Sequence, residues 1–561
     1  MREVTLPPAA AEPGADVLAP VRPAHAAAAL VLFACLAIFH TWPLAGAPAT
    51  HSRHDIADAL LNEWAVAWVA HQIVSDPRHL FDANIFYPEP NTLAFSEHLF
   101  VQSLLGAPLL WAGAPTLLVH NLLVLAGFAL TGWAMALVVR RWTGDWWAAI
   151  LAGMLLAFNA HSLSRIAHLQ AVHVEFLPLA VYALDRLLTR PSVKRAFWLS
   201  LAFVAQSLTS NYFLVFVTFG LLGSALARVR EWFWTGKARV FALLLLSGAV
   251  AILLLAPFLL HYLEAQREQG LTRTLDEVSK YAASWEDYLA ASGRLHFELW
   301  SARFWRGAGA PLFPGVTALG LTVVAVLSGA AWRRRGRMWL AMGVMGLTLS
   351  FGTSLPGYDT LYYVVPLLQG IRASVRFGYL LLAAIAALAA FGLVVVRART
   401  VDRPGLRTAI SAAALLLVTV EAARIPVAYT VGHRTPGVYR VIADAPDAVL
   451  VELPLYSPSA FFRNGAYMLH SAEHWRPILN GYSGFIPRIY QKHFDELRVF
   501  PDASALKYLR DLNVTHVAVH ANWFAEVRGE ERLQRIRSTP GLRPLVHAGN
   551  LTIYLLEPER Q

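Results

Sequence analysis

Asp55, Asp58 and Asn62 recur at spacings of three and four within the stretch His54 to Trp68. Wound as a helix at about 100° per residue, they share a narrow sector, while Leu60, Leu61, Trp64 and Trp68 gather opposite. That pattern predicts a helix lying in a membrane interface, aromatic side toward lipid and acids toward water. A carboxylate placed there can act as a general base, and a pair can organise a metal ion or a phosphate. The plain alternative is capping, with Asp55 as N-cap and Asp58 in the first turn, where carboxylates favour the positive helix end.

Four further groups could do chemistry. Glu97 and His98 close a turn-rich patch that begins at Phe81; they could bind substrate hydroxyls or simply open a helix. His161, Arg165 and His168 stand at offsets of four and seven, which predicts one helical face, with Gln170 just beyond. A guanidinium between imidazoles suits a phosphate or pyrophosphate better than a metal, because arginine repels cations. Arg372 and Arg376 stand where a connection enters an apolar segment. Arginine is costly in lipid unless paired or snorkelling, so these either anchor to headgroups or hold a lipid phosphate. Tyr281 lies in a polar–aromatic stretch that reads as a substrate-covering loop or as another interfacial helix.

The elements that must position these residues are membrane spans. Of 561 residues, 56% are hydrophobic and only 15% are charged. That composition excludes an ordinary soluble enzyme. Spans of ~20 apolar residues are predicted at 25–46, 116–139, 146–160, 172–189, 196–211, 212–227, 239–262, 312–332, 338–352, 374–396 and 408–425, about eleven in all. The segment 99–115, interrupted by prolines, reads as a second interfacial helix. Residues 1–24, rich in Pro and Ala, are expected to be disordered. Basic clusters occupy every second connection, so the net charge of +10 orients spans rather than binding nucleic acid. The N-terminus is then cytoplasmic, and the loop 47–115 and everything after 425 lie outside. The only cysteine, Cys35, excludes an internal disulfide and a cysteine metal site.

Residues 430–561 read as a small extracytoplasmic α/β domain. Val449–Leu453 alternates like a strand, 504–512 is helical, 515–520 is a second strand, and 542–556 is a hairpin turning at Gly549-Asn550. The fold class is therefore mainly α: a polytopic helix bundle over 25–425 with interfacial helices in its first outer loop, and the α/β domain after it.

Several of these stretches together resemble the glycosyltransferase-C superfamily. They are Asp58 to Trp64, Phe86-Tyr87-Pro88, Ser96-Glu97-His98, His168-Leu169-Gln170 and Arg372 to Phe377. The layout is similar to that of the protein mannosyltransferases and the lipid A aminoarabinose transferases, and the chain reads as a bacterial inner-membrane member. The resemblance implies a polyprenyl-phosphate-linked sugar as donor and a glycan, lipid or protein hydroxyl as acceptor. It implies a first-loop Asp as catalytic base, Asp58 or Asp55. Arg376, Arg372, Arg165 and His168 are then expected at the donor phosphate. Asn62, Glu97, His98, His161, Gln170 and Tyr281 are expected at the substrates. An adjacent pair of acids, common in the family, is absent, so the cofactor question stays open between none and a divalent cation, Mg or Mn. A transporter or flippase of lipid-linked saccharides and a non-catalytic scaffold are the rival classes. No internal repeat favours the first, and the acidic helix does not fit the second.

Overall fold

The computed structural model describes residues 18–234, 238–270, 272–306, 310–527 and 529–559. Residues 1–17 of the N-terminal stretch expected to be disordered lie outside them. The protein is a mainly α polytopic membrane protein with a small C-terminal sheet. Among the described residues, six helices are long and apolar enough to cross a membrane: Pro23–His40, Thr116–Thr143, Trp146–Ser164, Ala238–Gln269, Ser374–Arg399 and Pro404–Ala422. The other five predicted spans are helical too, but shorter. Phe176–Thr189 and Arg334–Ser350, for example, have 14 and 17 residues. At about 1.5 Å per residue neither reaches the ~30 Å of a hydrocarbon core.

The chain divides into two compact units. The first comprises Met1–Ala47, Leu122–Ala256 and Thr272–Ala428. Its centre is the helix Gly378–Arg399, which packs against Trp146–Ala157, Val316–Leu327 and Arg334–Ser350. Its alanines 383, 384, 386, 387, 389 and 390 are all buried. Small residues let backbones approach, which is what drives helix association where lipid competes for apolar contact. At Gly392 a Cβ would sit 1.9 Å from the Leu321 carbonyl oxygen, so only glycine fits.

Two acids of this unit, the buried Asp185 and the half-buried Asp145, are paired with arginines. Asp185 receives Arg228 at 2.6 Å and Arg335 at 3.3 Å, and the Trp142 indole donates to it at 3.1 Å. Asp145 receives Arg397 at 2.6 Å and caps the helix Trp146–Ala157 by accepting from Trp147 N–H. The arginines in these pairs come from basic connections that the sequence assigns to one side of the membrane. Their convergence brings several of those connections together.

The second unit comprises Pro48–Asn121, Pro257–Leu271 and Tyr429–Gln561, so the first loop and the C-terminal region share one compact body. Its sheet has four strands. Leu450–Leu453 runs parallel to His516–His520, which pairs antiparallel with Leu551–Leu556, and that strand pairs with Leu542–Ala548. The predicted strands, the helix Ala503–Asp511 and the hairpin all form. A short ribbon of His51–Ser52 with Thr430–Val431 ties the first loop to the start of the C-terminal region.

The first-loop helix is Ala57–Ser75, and it departs from the expected amphipathic helix with a lipid-facing side. Thirteen of its residues are buried, including Leu60, Leu61, Asn62, Trp64 and Trp68. It packs against Phe100–Trp111 and Gly465–Ser471. The Trp68 indole donates to the Leu80 carbonyl at 2.9 Å and meets Trp475 at 5.9 Å. The aromatic side faces protein because a C-terminal segment some four hundred residues away covers it.

Candidate functional site

In the first unit the chain leaves the helix Trp146–Ala157 at Phe158. Asn159 then caps a short helix, Ala160–Ser164, by accepting from Ser162 N–H at 2.9 Å. A second break follows at Arg165 before Leu169–Val172. His161, Arg165 and His168 therefore do not share one helical face as expected. The two breaks nevertheless turn all three, with Gln170, into one narrow cleft. The strip beyond is pinned by Gln206, whose amide donates to the His173 carbonyl at 3.0 Å and accepts from Leu177 N–H at 2.8 Å.

Arg376 enters the same cleft from the opposite side. It lies on the 3-10 turn Ser374–Phe377 that opens the helix Gly378–Arg399, where helix-end amides add positive potential. Its guanidinium lies 4.7 Å from the centre of the Tyr212 ring. Phe216 and Tyr379 complete an aromatic wall, and the Tyr379 hydroxyl donates to the Leu156 carbonyl at 3.2 Å. Arg376 Nε and His161 Nδ1 are buried without a hydrogen-bond partner. No carboxylate is among the described residues lining the cleft. Two guanidiniums, two imidazoles and an amide make a receptor for an anion with several oxygens.

Arg372 stands elsewhere in this unit. It approaches Glu277 at 3.9 Å and lies 5.0 Å from the Tyr281 ring. Glu277 also takes Arg273 at 2.9 Å, and the Tyr362 hydroxyl donates to the Arg273 carbonyl. Burial pushes the Arg273 guanidinium below its ordinary value, and Glu277 opposes that. Arg372 and Tyr281 thus sit beside a carboxylate and do not line the cleft, although Arg372 Nε, like Arg376 Nε, is buried without a hydrogen-bond partner.

In the second unit, the two acids have different surroundings. Asp55 precedes the helix, whose N-cap position is Ile56, and no side chain caps that end. The capping role considered for Asp55 is therefore not the one it plays. Arg53 grips both its oxygens at 2.9 Å in a fork that holds the carboxyl below the usual range, although the Asp55 side chain is 40% exposed. Asp58 lies in the first helical turn and is half-buried. It accepts from the Tyr482 hydroxyl at 2.9 Å.

The segment carrying both acids is fixed by a buried network. His54 Nε2 lies 2.8 Å from Glu63 Oε2, and Thr116 donates to the other Glu63 oxygen at 2.6 Å. The His433 backbone N–H donates to His54 Nδ1 at 3.0 Å, so that nitrogen is the acceptor and Nε2 carries the proton toward Glu63. Asn62 is buried in the middle of the helix. His98 is enclosed by Phe81, Phe258 and Tyr262, and burial pushes it down to about 4. Its Nδ1 lies 2.9 Å from the Tyr262 hydroxyl, which itself donates to the Ser96 carbonyl. His98 is thus held neutral, its Nε2 buried without a hydrogen-bond partner, beside a half-buried Glu97.

Tyr212 and Tyr482 escaped the sequence reading. Tyr212 had a signal, since Thr209 to Tyr212 is a polar break between two apolar segments. Tyr482 had none, because its partner Asp58 is 424 residues away.

No protein-family model matches the sequence, and no curated protein matches it. Solved structures do. The archaeal oligosaccharyltransferase AglB from Archaeoglobus fulgidus, in complex with an inhibitory peptide and a dolichol-phosphate, aligns over 95% of this chain and 74% of its own at 12% identity, with a TM-score of 0.50. The arabinofuranosyltransferase AftD from Mycobacteria aligns over 96% of this chain at 14% identity, with a TM-score of 0.57. This chain spans 42% of the arabinofuranosyltransferase's length. Identities this low speak to architecture alone: the chain shares the fold of these two solved membrane transferases.

Proposed function

We propose that this protein is an integral membrane glycosyltransferase that moves a sugar from a polyprenyl-phosphate donor to a hydroxyl of a glycan, lipid or protein. One observation carries the reading: Arg165 and Arg376 line one cleft with no carboxylate among its described lining residues, and Arg376 Nε is buried there without a hydrogen-bond partner. A buried donor left unsatisfied is costly, and a phosphate oxygen is the acceptor that suits it. The fold supports the same reading, since its solved examples include an oligosaccharyltransferase holding a dolichol-phosphate.

In the proposed step the acceptor oxygen attacks the anomeric carbon, and Asp58 takes its proton. The bond from the anomeric carbon to the phosphate oxygen breaks, and its electron pair leaves on the phosphate. Arg165 and Arg376 stabilise that developing charge, with His161, His168 and Gln170 as further donors. A single displacement inverts the anomeric centre. Asp58 is preferred to Asp55 because the Arg53 fork lowers Asp55's affinity for a proton and occupies both its oxygens. A divalent cation, Mg or Mn, is an assay variable here. Arg372 and Tyr281 lie outside the cleft that takes the phosphate in this scheme.

We place the protein in a bacterial cytoplasmic membrane, N-terminus inside and C-terminal region outside. The convergence of basic connections on Asp185 and Asp145 supports one shared face for them.

The test is transfer by purified protein given labelled polyprenyl-phosphate sugars and a panel of acceptors. The expected result is free polyprenyl phosphate and a labelled acceptor in equal amounts. Movement of intact donor across a proteoliposome bilayer, with no bond broken, would instead make the protein a transporter.

A further inference from the structure

We infer that the C-terminal region holds a transition-metal ion of the zinc class on Glu452, His470 and His520. The inference does not rest on the proposed reaction. One ligand atom from each of the three lies within 4.8 Å of the others, and all three residues are buried. Glu452 is on the strand Leu450–Leu453, His470 on the helix Gly465–Ser471, and His520 at the end of the strand His516–His520. Regular elements of this kind hold ligands more rigidly than loops.

Glu452 has no exposed surface. An ionised carboxylate in such a place needs a cation or several donors. Its Oε2 lies 2.8 Å from His520 Nε2, and its Oε1 accepts from the Tyr439 hydroxyl at 2.7 Å. The Tyr439 oxygen also lies 3.2 Å from His520 Nε2 and 3.4 Å from His470 Nδ1, so it touches all three side chains. In a tetrahedral site with bonds of ~2.0–2.2 Å, neighbouring ligand atoms stand roughly 3.3–3.6 Å apart. The Glu452–His520 pair would open by about half an ångström to admit an ion, every pair of the three ligand atoms lies within 4.8 Å, and the Tyr439 hydroxyl is an outer-sphere donor to Glu452.

The surroundings are those of an orienting outer sphere. Asn480 clamps the Glu452 backbone from both sides, accepting from its N–H at 2.8 Å and donating to its carbonyl at 3.0 Å. Trp523 stacks on His520 at 4.3 Å and lies parallel to His470. Two imidazoles with one carboxylate select zinc over magnesium or calcium, which prefer all-oxygen sites. The site ties three elements together, which is the work of a structural metal. Neither Asp55 nor Asp58, where the sequence looked for Mg or Mn, is among its ligands.

The experiment uses the full chain in detergent with its purification tag removed, stripped with EDTA and titrated separately with Zn²⁺, Co²⁺ and Mg²⁺. We expect one tightly held Zn²⁺ per chain by elemental analysis, tetrahedral-type visible bands with Co²⁺, and a higher unfolding temperature with Zn²⁺ only. Tyr439→Phe and Trp523→Leu should weaken binding by roughly 10–100-fold, as loss of an outer-sphere group does, and His470→Gln by more. Because His470→Gln could fail to fold, the wild-type titration stands as a test by itself. No stoichiometric Zn²⁺ uptake by the wild type would leave a hydrogen-bonded core network only and overturn the proposal. Undiminished uptake by a folded His470→Gln variant would place the metal elsewhere and overturn it equally.

Discussion

The acidic segment of the second unit and the cationic segment of the first are built alike. Each presents two like charges a few residues apart, Asp55 and Asp58 in one, Arg372 and Arg376 in the other. In each, one member meets an opposite charge nearby: Asp55 is forked by Arg53, and Arg372 approaches the Glu277 carboxylate. Asp58 accepts from the Tyr482 phenol, and Arg376 lies against the face of Tyr212. A charge already balanced has less to offer a substrate than one whose contacts are phenolic or aromatic. Under the proposed reaction, neighbours rather than residue type single out Asp58 and Arg376.

The largest effect that would break this comparison is at Asp58. Asn keeps its size but cannot take the acceptor's proton, so Asp58→Asn should lower transfer by ~10²–10⁴-fold with the protein still folded. Turnover and thermal unfolding measured on the same preparation check both halves. Near-normal turnover would return Asp58 to a helix-end role.

Next comes the arginine pair. Arg376→Ala should cost about 10²–10³-fold in turnover, as does loss of one donor to a developing anion. Arg376→Lys should recover part of it by keeping the sign. Arg372→Ala, measured beside them, should stay close to wild type. Equal losses at the two arginines would erase the distinction between a guanidinium beside a carboxylate and one in the cleft.

Tyr482→Phe sharpens the comparison on the acidic side. Losing a single hydrogen bond that orients Asp58 should lower transfer by about 2–10-fold, the equivalent of 0.5–1.5 kcal/mol. The smallest effect belongs to Asp55→Asn. Its pair with Arg53 is half in water, so the loss should be ~0.2–1 kcal/mol of stability with little change in transfer. Arg53 depresses the folded value, so the pair stabilises at pH above the ordinary ~3.9 of an aspartate and fades as pH falls through the lowered folded value. Unfolding midpoints of variant and wild type should therefore converge in acid. A gap that widened in acid would contradict the ion pair.

Much of this was legible in the chain. Apolar runs marked the helices, and alternation marked the strands at 450–453 and 516–520, because both signals are local. His161, Arg165, His168 and Gln170 were legible as a group, though for the wrong reason. Asn159 ends the helix early, and two turns rather than one face bring them together. The burial of Trp64 and Trp68 was not legible. A helical wheel reports which residues share a side, and the covering partner, Trp475 with the helix Gly465–Ser471, arrives from the far end of the chain. The division between Arg372 and Arg376 was hidden likewise, since Glu277 is about a hundred residues from either.

The most direct test of the central claim is a structure of the protein bound to a polyprenyl phosphate. The account predicts the phosphate between Arg165 and Arg376, with oxygens within hydrogen-bond reach of Arg376 Nε and His161. Density for the phosphate at the Arg372–Glu277 cluster would contradict it.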